Sequence, residues 1–498
     1  MKLSIKNFQQ GQTSSPYSTD GAFWKSANLD IHGLNGMARI NYKPTGVAGS
    51  AGNIMEGIIT SFARLQGVGG SVVFADNNND VKRWDGSSIS DIGSAALNAY
   101  YVAVWKGYVL ATTATGIQAC AITSAMDSAW SSALTPDSGS ITNITLHKML
   151  VSSKDDKVYF CNGRYVGRLE ETTGDTFDPT DAASYTLTAD ALALPTGYVA
   201  QSLEDFGRFI AVFATIAGQN RTLIMLWDTE STEKVDAIYE IGEIKMTSTL
   251  EHEGNIFITG GNAGNIYVLS ESGLKKYAQI IIDDPDNGKN VYAGGLLSYT
   301  TLSFTTMAWW KDKLMVAVST ASGVTPSGVY SVKNGVVNHE FIASNGITTN
   351  ANKFGSMITF SEGVSEANEL LFGVYYDTAS SVYTLEVVKD TNNRLPSGCY
   401  LETPLLRAGY KMQKGSVDRI EVILARPLQT GESFTLSYKR YTGDTYVTLA
   451  TKSYTTDGAQ TTFVLPGIKN IENLQFKIEL ATGASSKNTP MLTEISLF

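Results

Sequence analysis

The chain is predicted to be all-β: an irregular β-propeller of about six to eight blades, with an extended N-terminal arm and a C-terminal β-sandwich. Three observations lead there. First, a strand-sized unit recurs through the first ~390 residues at roughly 35–50-residue spacing, the period of propeller blades. Second, several units share one grammar, an apolar strand, a tight turn and a second strand opening on Tyr, Leu or Ile; Glu253-Gly254-Asn255-Ile256-Phe257-Ile258 followed by Gly264-Asn265-Ile266-Tyr267-Val268-Leu269 is its clearest copy. Third, beyond Asn392-Asn393-Arg394-Leu395-Pro396-Ser397-Gly398 the pattern changes to clean apolar–polar alternation, that of half-buried strands.

Residues 1–55 do not look like a blade. Gln9 to Asp20 is polar and turn-rich; Phe23 to Ile31 reads as a strand, Gly33 and Gly36 break it, Met37 to Tyr42 resumes it, and Gly46 to Gly52 is a flexible link. Such an arm either closes a propeller's last blade or reaches a neighbouring subunit. The propeller is expected over 56–390, in about seven units. Ile58 to Asp91 is a hairpin around Asp76-Asn77-Asn78-Asn79-Asp80, and Tyr100 to Ile122 turns at Lys106-Gly107. Leu146 to Leu169 turns around Lys154-Asp155-Asp156-Lys157, and Phe209 to Trp227 around Gly218-Gln219-Asn220. Residues 247–277 are the tandem copy, Met307 to Phe341 turns at Lys311-Asp312, and Met357 to Val388 closes the series. Each such sheet must bury both faces against its neighbours, so closure into a ring is the stable solution. The sandwich is expected over 399–498, with strands at Ser416 to Leu424, Phe434 to Arg440, Leu474 to Leu480 and Met491 to Phe498.

Composition narrows the function classes. Charged residues are 17% of 498, below the usual quarter, while Gly (46), Tyr (24) and Phe (19) are plentiful. That suits a turn-rich β-protein, or one that buries surface against neighbours. Net charge is −10 and no Lys/Arg run exceeds two residues, so a nucleic-acid footprint is missing. The charge is uneven. From Cys399 onward there are 11 Lys/Arg and 9 Asp/Glu, net +2; the preceding residues hold 27 against 39, net −12. Cys120, Cys161 and Cys399 make neither a metal spacing nor a disulfide framework and are expected to be reduced and buried. Met1 to Lys6 is too short and polar for a signal peptide, and no apolar run approaches membrane-spanning length.

A search for chemistry ends without a catalytic, cofactor-binding or metal site. His32, His147, His252 and His339 are scattered, with no second ligand at metal spacing, and neither a nucleophile elbow nor a Walker loop occurs. Asp76 to Asp80 and Asp283-Asp284-Pro285-Asp286-Asn287-Gly288 offer hard oxygen donors, yet Asn/Asp loops are also the ordinary means of turning a hairpin. Glu204, Asp205, Glu251 and Glu253 are the carboxylates from which a glycoside-cleaving pair would have to be drawn.

The C-terminal part carries a resemblance. It opens with Leu401-Glu402-Thr403-Pro404-Leu405-Leu406-Arg407-Ala408-Gly409, passes through Ser437-Tyr438-Lys439-Arg440 and a Thr442-Gly443-Asp444 turn, and ends on Ile495-Ser496-Leu497-Phe498. Together with the arm-and-propeller layout, this resembles the tail hub, or nozzle, proteins of short-tailed bacteriophages and related virion propellers. The resemblance implies a non-enzymatic virion protein, assembled in the host cytoplasm into a homo-oligomeric ring, commonly a hexamer, at the distal end of the tail. DNA would leave through the ring without specific binding, since negative walls repel phosphate. Other tail proteins, adaptor and fibres, would be its neighbours, and contact with the host surface is a further implied partner. A carbohydrate-binding or host-recognition propeller is the alternative; exposed Trp84, Trp105, Trp130 or Trp309 would favour it. A propeller glycoside hydrolase is the second alternative.

Overall fold

The computed structural model describes residues 3–12, 22–33, 37–47, 55, 57–65, 71–76, 80–95, 97–114, 116–142, 148–216, 219, 221–243, 246–260, 264–280, 306–319, 327–343, 352–360, 369–376, 382–407, 415–441, 444–483 and 486–498. Seven antiparallel sheets of three or four strands succeed one another along the chain as propeller blades. Blade one is Ile59–Leu65, Ser71–Asp76, Val81–Trp84 and Ile89–Asp91; blade two is Ala99–Trp105, Tyr108–Thr113 and Gly116–Ala121. Blade three is Met149–Val151, Val158–Asn162, Tyr165–Glu171 and Tyr185–Ala193; blade four is Tyr198–Phe206, Phe209–Ile216, Thr222–Trp227 and Ala237–Ile241. Blade five is Met246–His252, Asn255–Gly260, Asn265–Ser270 and Gly273–Gln279; blade six is Met307–Trp310, Lys313–Val318, Gly328–Lys333 and Val336–Phe341.

Blade seven closes the ring. Its strands Lys353–Phe360, Glu369–Tyr376 and Val382–Lys389 are completed by Thr45–Val47, in the antiparallel register Leu385↔Val47, Glu386↔Gly46, Val387↔Thr45. The first strand of each blade touches the first strand of the next, and Lys353–Phe360 returns to Ile59–Leu65. Of the two roles open to the N-terminal segment, closure of the last blade is the one the chain adopts.

The turn grammar has a geometric cause. Lys106-Gly107, Glu253-Gly254, Lys311-Asp312 and Asn334-Gly335 each place two successive residues at positive φ, between +48° and +80°. This is the two-residue hairpin turn whose twist matches that of the flanking strands. The middle strands explain the long apolar runs. Ser71–Asp76, Thr222–Trp227 and Lys313–Val318 are buried at every position, because both faces of a blade meet another blade. Seven apolar clusters result, one at each blade-to-blade contact, including the closing seam of blades seven and one. Cys120 and Cys161 are free and buried in these clusters, Cys399 in the sandwich core; burial pushes their thiols up to about 11, 12 and 12.

The sandwich has two sheets, and both ends of the chain build it. In one, the order is Thr462–Ile471, Gly415–Leu424, Met491–Leu497, Ala38–Ile40, Leu29–Asp30, with Leu3–Lys6 also on Met491–Leu497. In the other it is Val447–Ser453, Ser433–Lys439, Asn473–Ala481, Cys399–Glu402, Lys25–Ala27, with Leu406–Arg407 also on Asn473–Ala481. Phe8, Phe23, Leu29 and Ile40 share one core with Ile420, Leu436, Phe476 and Ile495. The segment expected as an arm over 1–55 therefore supplies four strands to the sandwich before it closes the propeller. The strand expected from Phe23 to Ile31 is bent, not continuous. Asn28, at φ +58°, lets the chain leave one sheet after Ala27 and enter the other at Leu29. Its carboxamide pins the corner, donating to Gly398 O at 3.0 Å and accepting from Ile342 N at 2.9 Å.

The N-terminal strands also join the two domains, since Lys25–Ala27 and Leu29–Asp30 lie against Val336–Phe341, the outer strand of blade six. A buried polar cluster sits between them. Lys313 Nζ is 3.0 Å from Asp30 Oδ1 and 3.0 Å from Glu340 Oε1, while Arg39 donates to Asp30 Oδ2 through Nε and Nη2 at 3.0 and 2.7 Å. Ser331 and Asn41 donate to Glu340, and Asn338 Nδ2 donates to Leu29 O at 2.6 Å. Against the cost of its burial, Lys313 and then Arg39 hold Asp30 well below the usual carboxylate range. Burial wins at Glu340, whose carboxyl is raised although Lys313 opposes it. Lys313 itself is raised, its two carboxylates outweighing its burial.

Candidate central cavity

The seven first strands surround the propeller axis, and the cavity between them measures about 570 Å³. Their short spacing at the axis turns alternate side chains inward, and most of the inward polar groups tie one blade to the next. Lys148, just before blade three, is paired with Glu204 of blade four, and Thr249 of blade five donates to Glu204 at 2.6 Å and accepts from Lys148 at 2.9 Å. Burial alone would lower the Lys148 ammonium, but Glu204 holds it above its ordinary value. Thr249 also shares a 2.6 Å hydrogen bond with Ser202. At the closing seam, Arg64 of blade one donates through Nη2 to both the carbonyl and the hydroxyl of Thr359 in blade seven, at 2.9 Å each.

The four carboxylates considered for bond cleavage part company here. Glu204 and Glu251 line the same cavity. Asp205 is taken by the turn beside it, accepting from Ser152 Oγ at 2.7 Å and from Ser153 N and Oγ at 2.7 and 2.9 Å. Glu253 is exposed on its hairpin turn, and Glu251 accepts the Gly254 N–H at 2.8 Å. The cavity wall also holds an aromatic contact between blades five and six: His252 stacks on Trp309 with ring centroids 4.1 Å apart, and Phe257 packs against Trp309 at 5.6 Å. An aromatic wall in a cavity that also holds the Glu251 carboxylate is a lining that suits a small polar ligand.

The remaining sequence candidates fall outside the cavity. Trp84 and Trp105 are buried between blades; Trp105 Nε1 donates to Asp156 O at 2.8 Å, and the half-buried Trp130 donates to Ile92 O at 3.3 Å. Asp80 accepts from Lys82 at 3.0 Å and its N–H bonds to Asp76, the work of a turn, while Asn77 to Asn79 lie outside the described residues. So do His147 and the loop from Asp283 to Gly288. The half-buried His32 and the buried His339 lie at the domain junction, and desolvation lowers both to about 4. Among the described residues no group of three or more His, Cys, Asp or Glu is placed to hold a metal, and no helix is long and apolar enough to cross a membrane. Sequence reasoning missed Arg64, Lys148 and Thr249, because their partners stand on other blades and no spacing along the chain reveals them.

No family profile matches this sequence, and no characterised protein matches it. Solved structures similar to it share the propeller arrangement. Sqt1 of Saccharomyces cerevisiae has 11% identity and a TM-score of 0.41, over 75% of this chain and 94% of that one. A catalytically inactive virginiamycin B lyase from Staphylococcus aureus, with quinupristin, has 10% identity and a TM-score of 0.44, over 70% and 99%. An exo-β-1,3-galactanase from Phanerochaete chrysosporium has 10% identity and a TM-score of 0.27, over 92% and 100%. None of the three lends this chain an activity.

Proposed function

We infer that the protein is a structural subunit of a bacteriophage tail: a hub or nozzle component that forms a homo-oligomeric ring, of six copies, at the distal end. The ring guides DNA exit and carries neighbouring tail proteins. One observation supports this reading above the others. Of six exposed large hydrophobic side chains among the described residues, five (Leu3, Tyr441, Val447, Tyr454 and Val464) lie on the sandwich or its connecting segments. Their concentration on one domain supports that domain being covered by another molecule. The net charge of −12 before Cys399 fits a wall past which DNA slides.

The test has two arms. Negative-stain images of the purified protein are expected to show rings with an axial hole, and filter binding at low salt to show negligible retention of duplex DNA. Monomers at every concentration, or micromolar binding at low salt, refute the reading.

A second reading, a glycan-binding propeller, is favoured by Trp309 in the central cavity, stacked on His252 beside Glu251. Glycan-array binding that Trp309→Ala abolishes would select it.

A further inference from the structure

We propose that the outer rim of the propeller, between blades three and four, holds a site for a neutral sugar ring, free or at the end of a glycan. The site is separate from the central cavity and does not depend on the tail reading. A cavity of about 360 Å³ lies there, within the size range of small-molecule sites. One wall is the outer pair of strands of blade three, Tyr165–Glu171 and Tyr185–Ala193, with Ser138 beside them. The other is Thr229 to Glu233, in the loop that leads to the outer strand of blade four.

Asp190 owes its place to a break in the strand pairing. Val166 faces Leu192 and Arg168 faces Thr188, so two steps along one strand span four along the other. Tyr185–Ala193 therefore bulges at Ala189 to Ala191, and a bulge re-aims the side chains it contains. The bulge has its own partners. The Ala189 N–H donates to Ser138 O at 2.8 Å, and Nδ2 of the buried Asn162 donates to Ala189 O at 2.7 Å. Ser138 Oγ donates to Asp190 Oδ1. Gly139, at φ +71°, passes so near that a Cβ there would lie 2.8 Å from the Asp190 carboxyl carbon. One oxygen of Asp190 is thus fixed, while Oδ2 has no hydrogen-bond partner among the described residues.

The opposite wall is equally set. Thr229 sits at φ +74°, a conformation that is costly for a β-branched residue and persists only where its surroundings enforce it. Trp227 Nε1 donates to Ser231 O at 2.6 Å, the Ala193 N–H to Thr232 O at 2.8 Å, and Arg168 Nη1 to Thr229 O at 3.2 Å. Walls ordered before a ligand arrives need little further ordering when it binds.

The lining selects the ligand. It holds three carboxylates, Asp190, Glu230 and Glu233, against one cation, Arg168, which is already paired with Glu170 at 3.0 Å. A phosphate or an acidic sugar would be repelled. Glu230 and Glu233 stand exposed at the rim, and no three acidic groups among the described residues converge as metal ligands, so a bare cation finds no cage. What the cavity offers is carboxylate oxygens that only accept, the Tyr165 hydroxyl, which has no partner among the described residues, and the half-buried Tyr165 ring. Sugar hydroxyls donate to the first and bond the second, and the C–H face of a pyranose packs on the third.

The experiment uses the full chain. Glucose, galactose, mannose and N-acetylglucosamine are probed by saturation-transfer NMR at millimolar concentration, and glycan ends on an array. At least one neutral sugar is expected to bind. Asp190→Ala is expected to weaken it about tenfold or more, as the loss of a hydrogen bond to a charged acceptor does. Thr232→Trp, on the exposed loop, is expected to fill the cavity and abolish binding, both variants melting like the native chain. Trp309→Ala, in the central cavity, is expected to leave binding intact. No neutral sugar bound in either assay overturns the proposal. So does binding that survives Thr232→Trp, or that Trp309→Ala removes, which would put the sugar in the central cavity. Spermidine bound in place of any sugar, and lost in Asp190→Ala, overturns the choice of a neutral ligand. Ring formation in the electron microscope is expected to be the same in every variant, which keeps this test apart from that of the tail reading.

Discussion

Replacing Lys313 by Met tests how the two domains are held together. The ammonium lies 3.0 Å from Asp30 Oδ1 and 3.0 Å from Glu340 Oε1, all three side chains being at most 7% exposed. Met fills similar volume and leaves both carboxylates without their shared cation. Asp30 keeps Arg39; Glu340 keeps only neutral donors, Ser331, Asn338 and Asn41. Breaking a buried ion pair from one side costs about 3–5 kcal/mol. The sign with pH follows from Glu340. Its folded value is already raised, so its contribution is present below the unfolded value and lost as pH rises through the folded one. Without Lys313 it rises further, so the deficit is widest at pH 8 and narrows towards pH 5.5. Asp30 is held low and stays charged through that range. Urea unfolding followed by tryptophan fluorescence at both pH values measures the deficit, and Glu340→Gln in the Lys313→Met background is expected to recover most of it. A loss under about 1 kcal/mol, well below the cost of a broken buried pair, or a deficit equal at the two pH values, would refute the reasoning.

Three further outcomes are expected. Asp312→Gly relieves positive φ at +59° in the blade-six hairpin and should stabilise by about 0.5–1 kcal/mol in thermal melts; a lower midpoint contradicts the turn assignment. Removing residues 1–47 takes strands from both domains and should abolish a cooperative unfolding transition; a truncated chain melting like the whole protein disproves the interlock. His339, lowered by burial to about 4, gives stability present above the unfolded value near 6.5 and lost as pH falls towards 4, about 3 kcal/mol in all. His339→Asn keeps an acceptor for the Asn28 N–H and should flatten that part of the urea-midpoint profile, with His32 supplying what is left; an unchanged profile counts against it.

The periodicity of apolar runs and the paired turn residues were enough to place most blade strands, because a hairpin is a local object. Lys106-Gly107 and Glu253-Gly254 mark their turns by backbone chemistry alone. The C-terminal strands were legible for the same reason, since the buried Ile420, Val422 and Leu424 alternate with the less buried Glu421 and Ile423. Besides Thr45–Val47, three strands of the propeller were not assigned to blades, Tyr185–Ala193, Tyr198–Phe206 and Ala237–Ile241. Tyr185–Ala193 alternates cleanly but follows a turn-rich stretch after Glu171 that hides the period, and Ala237–Ile241 is only five residues long. The central cavity was equally hidden. Lys148, Glu204 and Thr249 meet only because three consecutive blades turn their first strands to one axis. The role of the first 47 residues was decided by tertiary structure alone. Their strands are two to four residues long, too short to show a period, and their partners stand some 300 to 490 residues away, as in Ser4 with Ser496 and Asn28 with Ile342. What the sequence determines by itself is therefore the local unit, a twisted hairpin that must be covered on both faces. Which strand covers the last blade, and which edges stay open, depends on contacts between distant segments that burial rewards and no local pattern encodes.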